Sequence, residues 1–433
     1  MRRQALQQLM EWKNNSNKKP LIIRGARQVG KTWLIKEFAK TQYEDYIYIN
    51  FELNEIIRTL FDESLEPQQI LFKLKIFSGI EPKPGKTLII FDEIQEAPRG
   101  LTSLKYFCEN APEYHVVAAG SLLGITLHQH VSFPVGKVNY LDLYPMSFTE
   151  FLYALGKDDY VDLLQKQDWA TIKTFKSQYI EWLRFYFYVG GMPAAVAAFA
   201  ANADFGEVRK LQEDILNDYE NDFSKHAPSE IVPRIRLVWN SILPQLSKEN
   251  RKFIYAKIKQ GARAREFELA MAWLLDCGLI YQVFRVTKPG LPLKSYMDFS
   301  AFKLFMVDIG LMAALAKLDA KTILEGSRIF EEFKGALTEQ FVFQQLTQNK
   351  DFIITYWSSE YSDSEIDFLL QFSNEIIPVE VKSAENLNAK SLKTFCAKHK
   401  PKYAIRTSLS DYRQEEWMTN MPLYAIEKAT LSI

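Results

Sequence analysis

The chain has 433 residues, a length that predicts about three domains. Hydrophobic residues make up 47% and charged residues 24% of it. That balance belongs to a soluble globular chain and excludes disorder as the main theme. Lys plus Arg and Asp plus Glu each total 53, so the net charge is zero and any preference for nucleic acid has to be local. Cys108, Cys277 and Cys396 are widely spaced and form no CxxC pair, which excludes a disulfide framework and a zinc ribbon and predicts a reducing, cytoplasmic setting. The basic N-terminus has no apolar core of an export signal. The longest apolar run, Ala194 to Ala201, is far short of the ~18 residues of a membrane span, so no membrane partner is expected.

Leu21 to Arg24 reads as a buried strand running into Gly25-Ala26-Arg27-Gln28-Val29-Gly30-Lys31-Thr32 and then Trp33. This is GxxxxGK[ST] in its proper setting, strand before and amphipathic helix after. Glycines let the backbone wrap a polyphosphate and turn N–H groups toward it, and the helix N-terminus adds affinity for an anion. Lys31 is expected to meet the β and γ phosphates, and the Thr32 hydroxyl to bind Mg²⁺. ATP, with ADP as its product, is the predicted ligand.

Tyr46 to Phe51 predicts a second strand, and Asn50-Phe51-Glu52 falls at its end without a role that spacing assigns. Thr87 to Phe91 predicts a strand covered on both faces, with Asp92-Glu93 at its C-terminal edge where ligands bind. Asp92 is the expected Mg²⁺ carboxylate and Glu93 the base that polarises the attacking water. His115 to Ala119 predicts a further strand ending in Gly120-Ser121, either a plain turn or a polar group beside the γ phosphate. Together these segments predict an α/β core with a parallel sheet over residues 1–150.

From Leu141 the text changes to Tyr144-Pro145-Met146-Ser147-Phe148-Thr149-Glu150-Phe151, then to long helical patterns, then to Gly190-Gly191-Met192-Pro193. Residues 151–231 are expected as a helical lid. The order Walker A, FDEIQ, AGSLLG, YPMSFTEF, GGMP resembles a large group of prokaryotic AAA-type P-loop ATP-binding proteins whose C-terminal half is a domain of unknown function. The resemblance runs over essentially the whole chain. It implies an arginine after the glycine of an FPxGR segment, a γ-phosphate contact from a neighbouring copy in a homo-oligomer. Here Phe133-Pro134-Val135-Gly136-Lys137 stands instead, which keeps the charge and loses the bidentate fork.

Residues 232–318 resemble a winged helix: helical patterns over Arg234 to Leu246, Asn250 to Ile258 and Arg265 to Leu275, then a strand from Gly278 to Val283. Lys248, Arg251, Lys252, Lys257, Lys259, Arg263 and Arg265 stand against the single acid Glu249, making this stretch the candidate DNA contact, with a solvated packing face as the plainer reading.

In residues 319–433, Glu339 falls in a helical pattern. Glu365 to Leu370 and Ile377 to Lys382 predict a hairpin turning at Ser373-Asn374. That turn puts Asp367 directly opposite Glu380, with Lys382 on the same face as Glu380. Two facing acids with a lysine beside them suit a Mg²⁺ ion and a cation that orients water. The pattern resembles the α/β restriction-endonuclease-like, PD-(D/E)xK fold, which implies Asp367 and Glu380 as metal ligands, Lys382 as catalytic lysine and Glu339 as auxiliary acid. The whole reads as a Mg²⁺-dependent ATPase acting on DNA. The other reading is a nucleotide-dependent switch whose nuclease-like domain only binds.

Overall fold

The computed structural model describes all residues except 54, 122–133, 247–251, 326–330, 360–363, 386–388 and 433. Two compact units form, one of Arg2–Tyr144 with Asp276–Leu279, the other of Met1, Pro145–Leu275 and Ile280–Ile433.

The first unit is built on five parallel strands: β1 (Leu21–Arg24), β2 (Asp45–Asn50), β3 (Thr87–Asp92), β4 (His115–Ala119) and β5 (Asn139–Asp142). Their order across the sheet is β2-β3-β4-β1-β5. β3 and β4 are buried along their whole length, as unbroken apolar runs in a covered parallel sheet should be. Phe51, Phe61, Phe91 and Phe107 interlock on one face at centroid separations of 5.6 to 6.4 Å. Each such buried ring contributes about 1.5–3 kcal/mol.

Near the start of β4, His115 is enclosed by Trp12 and Tyr43, with the Tyr43 hydroxyl 2.8 Å from His115 Nδ1. Burial pushes this imidazole down to about 4. The folded chain therefore holds it neutral while the unfolded chain protonates it near 6.5. His115 stabilises the fold fully above about pH 6.5, and that contribution is lost as pH falls to about 4. Melting temperature is expected to drop across that window, less steeply in His115→Asn; parallel curves would contradict this.

The second unit holds β6 (Ile280–Val286), β7 (Met297–Met306), β8 (Ile353–Ser358), β9 (Glu365–Phe372), β10 (Glu375–Val381), β11 (Ile405–Ser408), β12 (Arg413–Gln414) and β13 (Thr419–Pro422). They make one mixed sheet in the order β12-β13-β11-β10-β9-β8-β6-β7. β6, which contains most of the strand expected at the end of the winged helix, pairs with β7 and joins the C-terminal strands through parallel pairing of Arg285 with Tyr356 and Val286 with Trp357. Strands from both sides of the expected boundary at 318/319 thus share a sheet. Periodicity identifies a strand but not its partner. The helices expected as a lid, from Phe148–Ala154 to Phe205–His226, lie in this same unit.

A second difference concerns the helix expected over 250–258. Residues 247–251, and with them Lys248 and Arg251, lie outside the described residues. Beyond them the chain is extended at Ile254 and makes a short 3-10 turn, Tyr255–Lys257. Phe253 N donates to Phe302 O of β7 at 2.8 Å. The Gln245 amide clips Ile254 through both its N–H and its C=O. Tertiary hydrogen bonds thus override the local helical pattern, leaving two of the three expected helices, Val232–Leu246 and Ala264–Asp276.

The YPMSFTEF and GGMP segments are packing devices. Ser147 and Glu150 form a capping box, worth about 1 kcal/mol. Gly190 and Gly191 leave no room for a Cβ: one would stand 2.1 Å from Asp308 Oδ1, the other 2.2 Å from Met146 O. Buried Asp308 accepts from Gly191 N, Leu311 N and Gln344 Nε2 at 2.6 to 3.0 Å. Among the described residues, no helix is long and apolar enough to cross a membrane.

Candidate functional site: a nucleotide cradle and an acidic cluster

The loop after β1 has the backbone that its glycines predict. Gly25 has φ +149 and Gly30 φ +91, with Gln28 also left-handed at +67. A Cβ on Gly25 would fall 2.2 Å from Leu143 O, so no larger residue fits. Ala26 and Val29 point into the core, which leaves the loop its backbone groups to present. Arg27 and Gln28 are half-buried, and Trp33 is exposed at the first turn of the helix Lys31–Gln42.

Lys31 is buried and folds back onto Gly25 O at 2.9 Å and Ala26 O at 2.8 Å. Burial pushes its ammonium down to about 8, against the opposite pull of Glu93 and Asp92. Thr32 Oγ1 donates to Asp92 Oδ2 at 2.7 Å, so the two groups expected to share a cation converge across β1 and β3. The Asp92 side chain is fully enclosed. Glu93 has the left-handed φ of +50, a conformation that costs a non-glycine residue energy and is found at functional sites. Its carboxylate accepts from Gln95 Nε2 at 2.6 Å and from Ser121 Oγ at 3.1 Å. The expected residues Lys31, Thr32, Asp92, Glu93 and Ser121 therefore meet at one edge of the sheet.

Three members of the site had no role assigned in advance. The Tyr48 hydroxyl donates to Asp92 Oδ2 at 2.8 Å, and Asn50 Nδ2 donates to the Tyr48 hydroxyl at 3.3 Å. Both lie on the less buried face of β2, whose last residue pairs with Asp92. A tyrosine two residues before a strand-end asparagine was the available signal. Gln95 is the third, in the FDEIQ segment. Lys137 is bound to Glu109 at 2.9 Å within its own unit, and Phe133 lies outside the described residues, as do Leu122, Leu123 and Gly124 of AGSLLG.

In the second unit the hairpin register is the one the turn predicts: Glu375 faces Phe372 and Val379 faces Phe368, so Asp367 and Glu380 come next in line. Val381 N donates to Asp367 Oδ2 at 2.7 Å, and Lys382 Nζ lies 2.7 Å from Glu380 Oε1. Burial pushes Asp367 up, reinforced by the charges of Glu339 and Glu380. Burial also raises Glu380, which Lys382 partly offsets. Glu339 is placed by the helix Glu331–Leu346, pinned to β7 where the Gln340 amide clips both Met306 N and Met306 O. An unforeseen member joins them. Lys303 of β7, 1% exposed, pairs with Glu365 and stands 3.7 Å from Glu339 Oε2. Among the described residues, no three His, Cys, Asp or Glu side chains group closely enough to hold a metal ion. Of the basic stretch, Lys257, Lys259, Arg263 and Arg265 are exposed and Lys252 is half-buried.

A parallel sheet with a strand inserted between the phosphate-loop strand and the acidic strand, and a GK[ST] lysine and threonine facing that acid, defines a P-loop ATPase domain. Residues 17–152 match the family model described as an AAA domain, which makes this segment an AAA-type ATPase domain. Residues 180–322 and 334–426 match two domains of unknown function, DUF8612 and DUF4143. No curated protein matches the chain. Among solved structures, the Walker-type ATPase paby2304 of Pyrococcus abyssi is 17% identical with TM-score 0.46, covering 73% of this chain and 95% of that one. The ORC1 protein of Aeropyrum pernix in complex with DNA is 14% identical with TM-score 0.28, covering 72% and 91%. The CDC6P protein of Pyrobaculum aerophilum is 14% identical with TM-score 0.26, covering 74% and 94%.

Proposed function

We propose that the chain is a Mg²⁺-dependent ATPase, working in the cytoplasm, whose nucleotide cycle governs the action of its C-terminal half on DNA. The observation that carries the ATPase reading is the convergence of Thr32 on Asp92 and of Ser121 on Glu93 at the mouth of the phosphate loop. The Thr32 hydroxyl and the enclosed Asp92 carboxylate are an oxygen donor pair of the kind Mg²⁺ takes, so the residues fit the ion. Bound there, Mg²⁺ would neutralise charge on the phosphates. Lys31 supplies a second positive charge, the loop N–H groups hold the phosphate oxygens, and Glu93 orients the attacking water and accepts its proton.

For the C-terminal half we propose a restriction-endonuclease-like domain, with Asp367 and Glu380 as the metal-binding pair, Lys382 beside them and Glu339 as auxiliary acid. DNA would lie along the exposed cations Lys257, Lys259, Arg263 and Arg265, the helices around them serving as a reduced winged helix. A homo-oligomer would supply the γ-phosphate cation that Lys137, tied to Glu109, does not. The second reading, a nucleotide-dependent switch whose C-terminal half binds without cutting, is favoured by the buried Lys303 in the acid cluster.

ATP hydrolysis measured with and without duplex, single-stranded and branched DNA tests the link. Stimulation by DNA is expected, and Asp367→Ala should keep ATP turnover while losing cleavage. No stimulation by any DNA would sink the coupling. Stimulation without cleavage, in Mg²⁺ or Mn²⁺, would leave the switch.

A further inference from the structure

The acid cluster of the second unit contains its own cation. Lys303 lies mid-strand in the apolar run Ala301 to Met306 and is 1% exposed. Its ammonium pairs with Glu365 on one side and Glu339 on the other, and it stands 4.9 Å over the Tyr356 ring. The arrangement is built, because the Gln340 clip on Met306 fixes the helix carrying Glu339 against the strand carrying Lys303. A buried ammonium is tolerated only where carboxylates or an aromatic face replace its water.

Glu339, Glu365, Asp367 and Glu380 face Lys303 and Lys382, a formal excess of two negative charges, while the nearby Arg285 and Asp298 neutralise each other. One divalent cation would balance that excess; two would leave two positive charges over, against one without Lys303. Glu380 also keeps a buried carboxylate oxygen, Oε2, with no hydrogen-bond partner among the described residues, while its other oxygen is held by Lys382. A pair of carboxylates completed by water is a normal Mg²⁺ site, so the lack of a three-acid cage among the described residues does not exclude one.

We infer that Lys303 is a resident cation filling the position between Glu339 and Glu365, so that the cluster takes a single divalent ion, between Asp367 and Glu380. This rests on the metal-site reading of these acids. Lys303 is a positioning residue: it keeps Glu339 and Glu365 assembled and occupies the place of a second ion.

The test is Mn²⁺ binding to the full chain without nucleotide, counted by electron paramagnetic resonance as the ions lost when Glu365→Gln and Asp367→Asn are introduced together. One ion per wild-type chain and two in Lys303→Met are expected. Two in the wild type, or one in both chains, would overturn the role of Lys303 and leave the metal reading standing. None in either chain would overturn the metal reading and this inference with it. None in the wild type but some in the variant would overturn the single-ion assignment, Lys303 then closing the site altogether. Should Lys303→Met fail to fold, the wild-type count still separates one ion from two or none, and Lys303→Gln provides the smaller change.

Discussion

Lys31→Ala should lower ATP turnover on the order of 10²–10³-fold, the size of effect seen when one preorganised donor to a developing charge is removed. The ammonium is buried and donates to the carbonyls of Gly25 and Ala26. Burial pushes its pKa down to about 8, so the site holds a desolvated cation suited to phosphate oxygens. Removing it takes away a hydrogen-bonding group of the loop but no core packing, and the nucleotide-free protein should melt at nearly the wild-type temperature. Phosphate release assayed at saturating ATP checks this. Unchanged release in the variant would show that the loop does not serve hydrolysis.

The largest effect on stability is expected at Gly190. Its φ of +73 is a conformation that costs other residues about 1–3 kcal/mol. An added Cβ would fall 2.1 Å from Asp308 Oδ1 and 2.7 Å from Gly310 N, so Asp308 must move. Asp308 is enclosed and accepts from Gly191 N, Leu311 N and Gln344 Nε2. Strain and the disturbed network together put Gly190→Ala at about 3–5 kcal/mol. Urea unfolding of the second unit measures it, and a loss below about 1 kcal/mol would contradict the packing described.

The nucleotide site was largely legible because its chemistry is contiguous in sequence: a strand, eight loop residues, and an apolar run ending in Asp92-Glu93. The insertion of β4 between β1 and β3 was not, since nothing local states which strand lies beside which. Tyr48 was missed for the same reason, acting across β2 and β3 on an acid 44 residues away. The hairpin of β9 and β10 could be read to the residue because the turn sets the register. The place of β6 could not: its strand pattern is the same whether it ends a separate winged helix or joins the larger sheet through β8. Lys303 carried a visible signal, a lone lysine in an apolar strand. Its meaning appeared only with Glu339 and Glu365 around it, from a helix and a strand far along the chain.

Single-turnover phosphate release from ATP with Mg²⁺, by the wild type and by Glu93→Gln, tests the central claim most directly. Glu93 is held by Ser121 and Gln95 and has no part in the core, so the variant keeps the fold and the Thr32–Asp92 pair. The account predicts release by the wild type, with ATP bound but turned over about 10²–10⁴-fold more slowly by the variant. Equal rates in the two chains, or no release by the wild type with Mg²⁺ present, would contradict it.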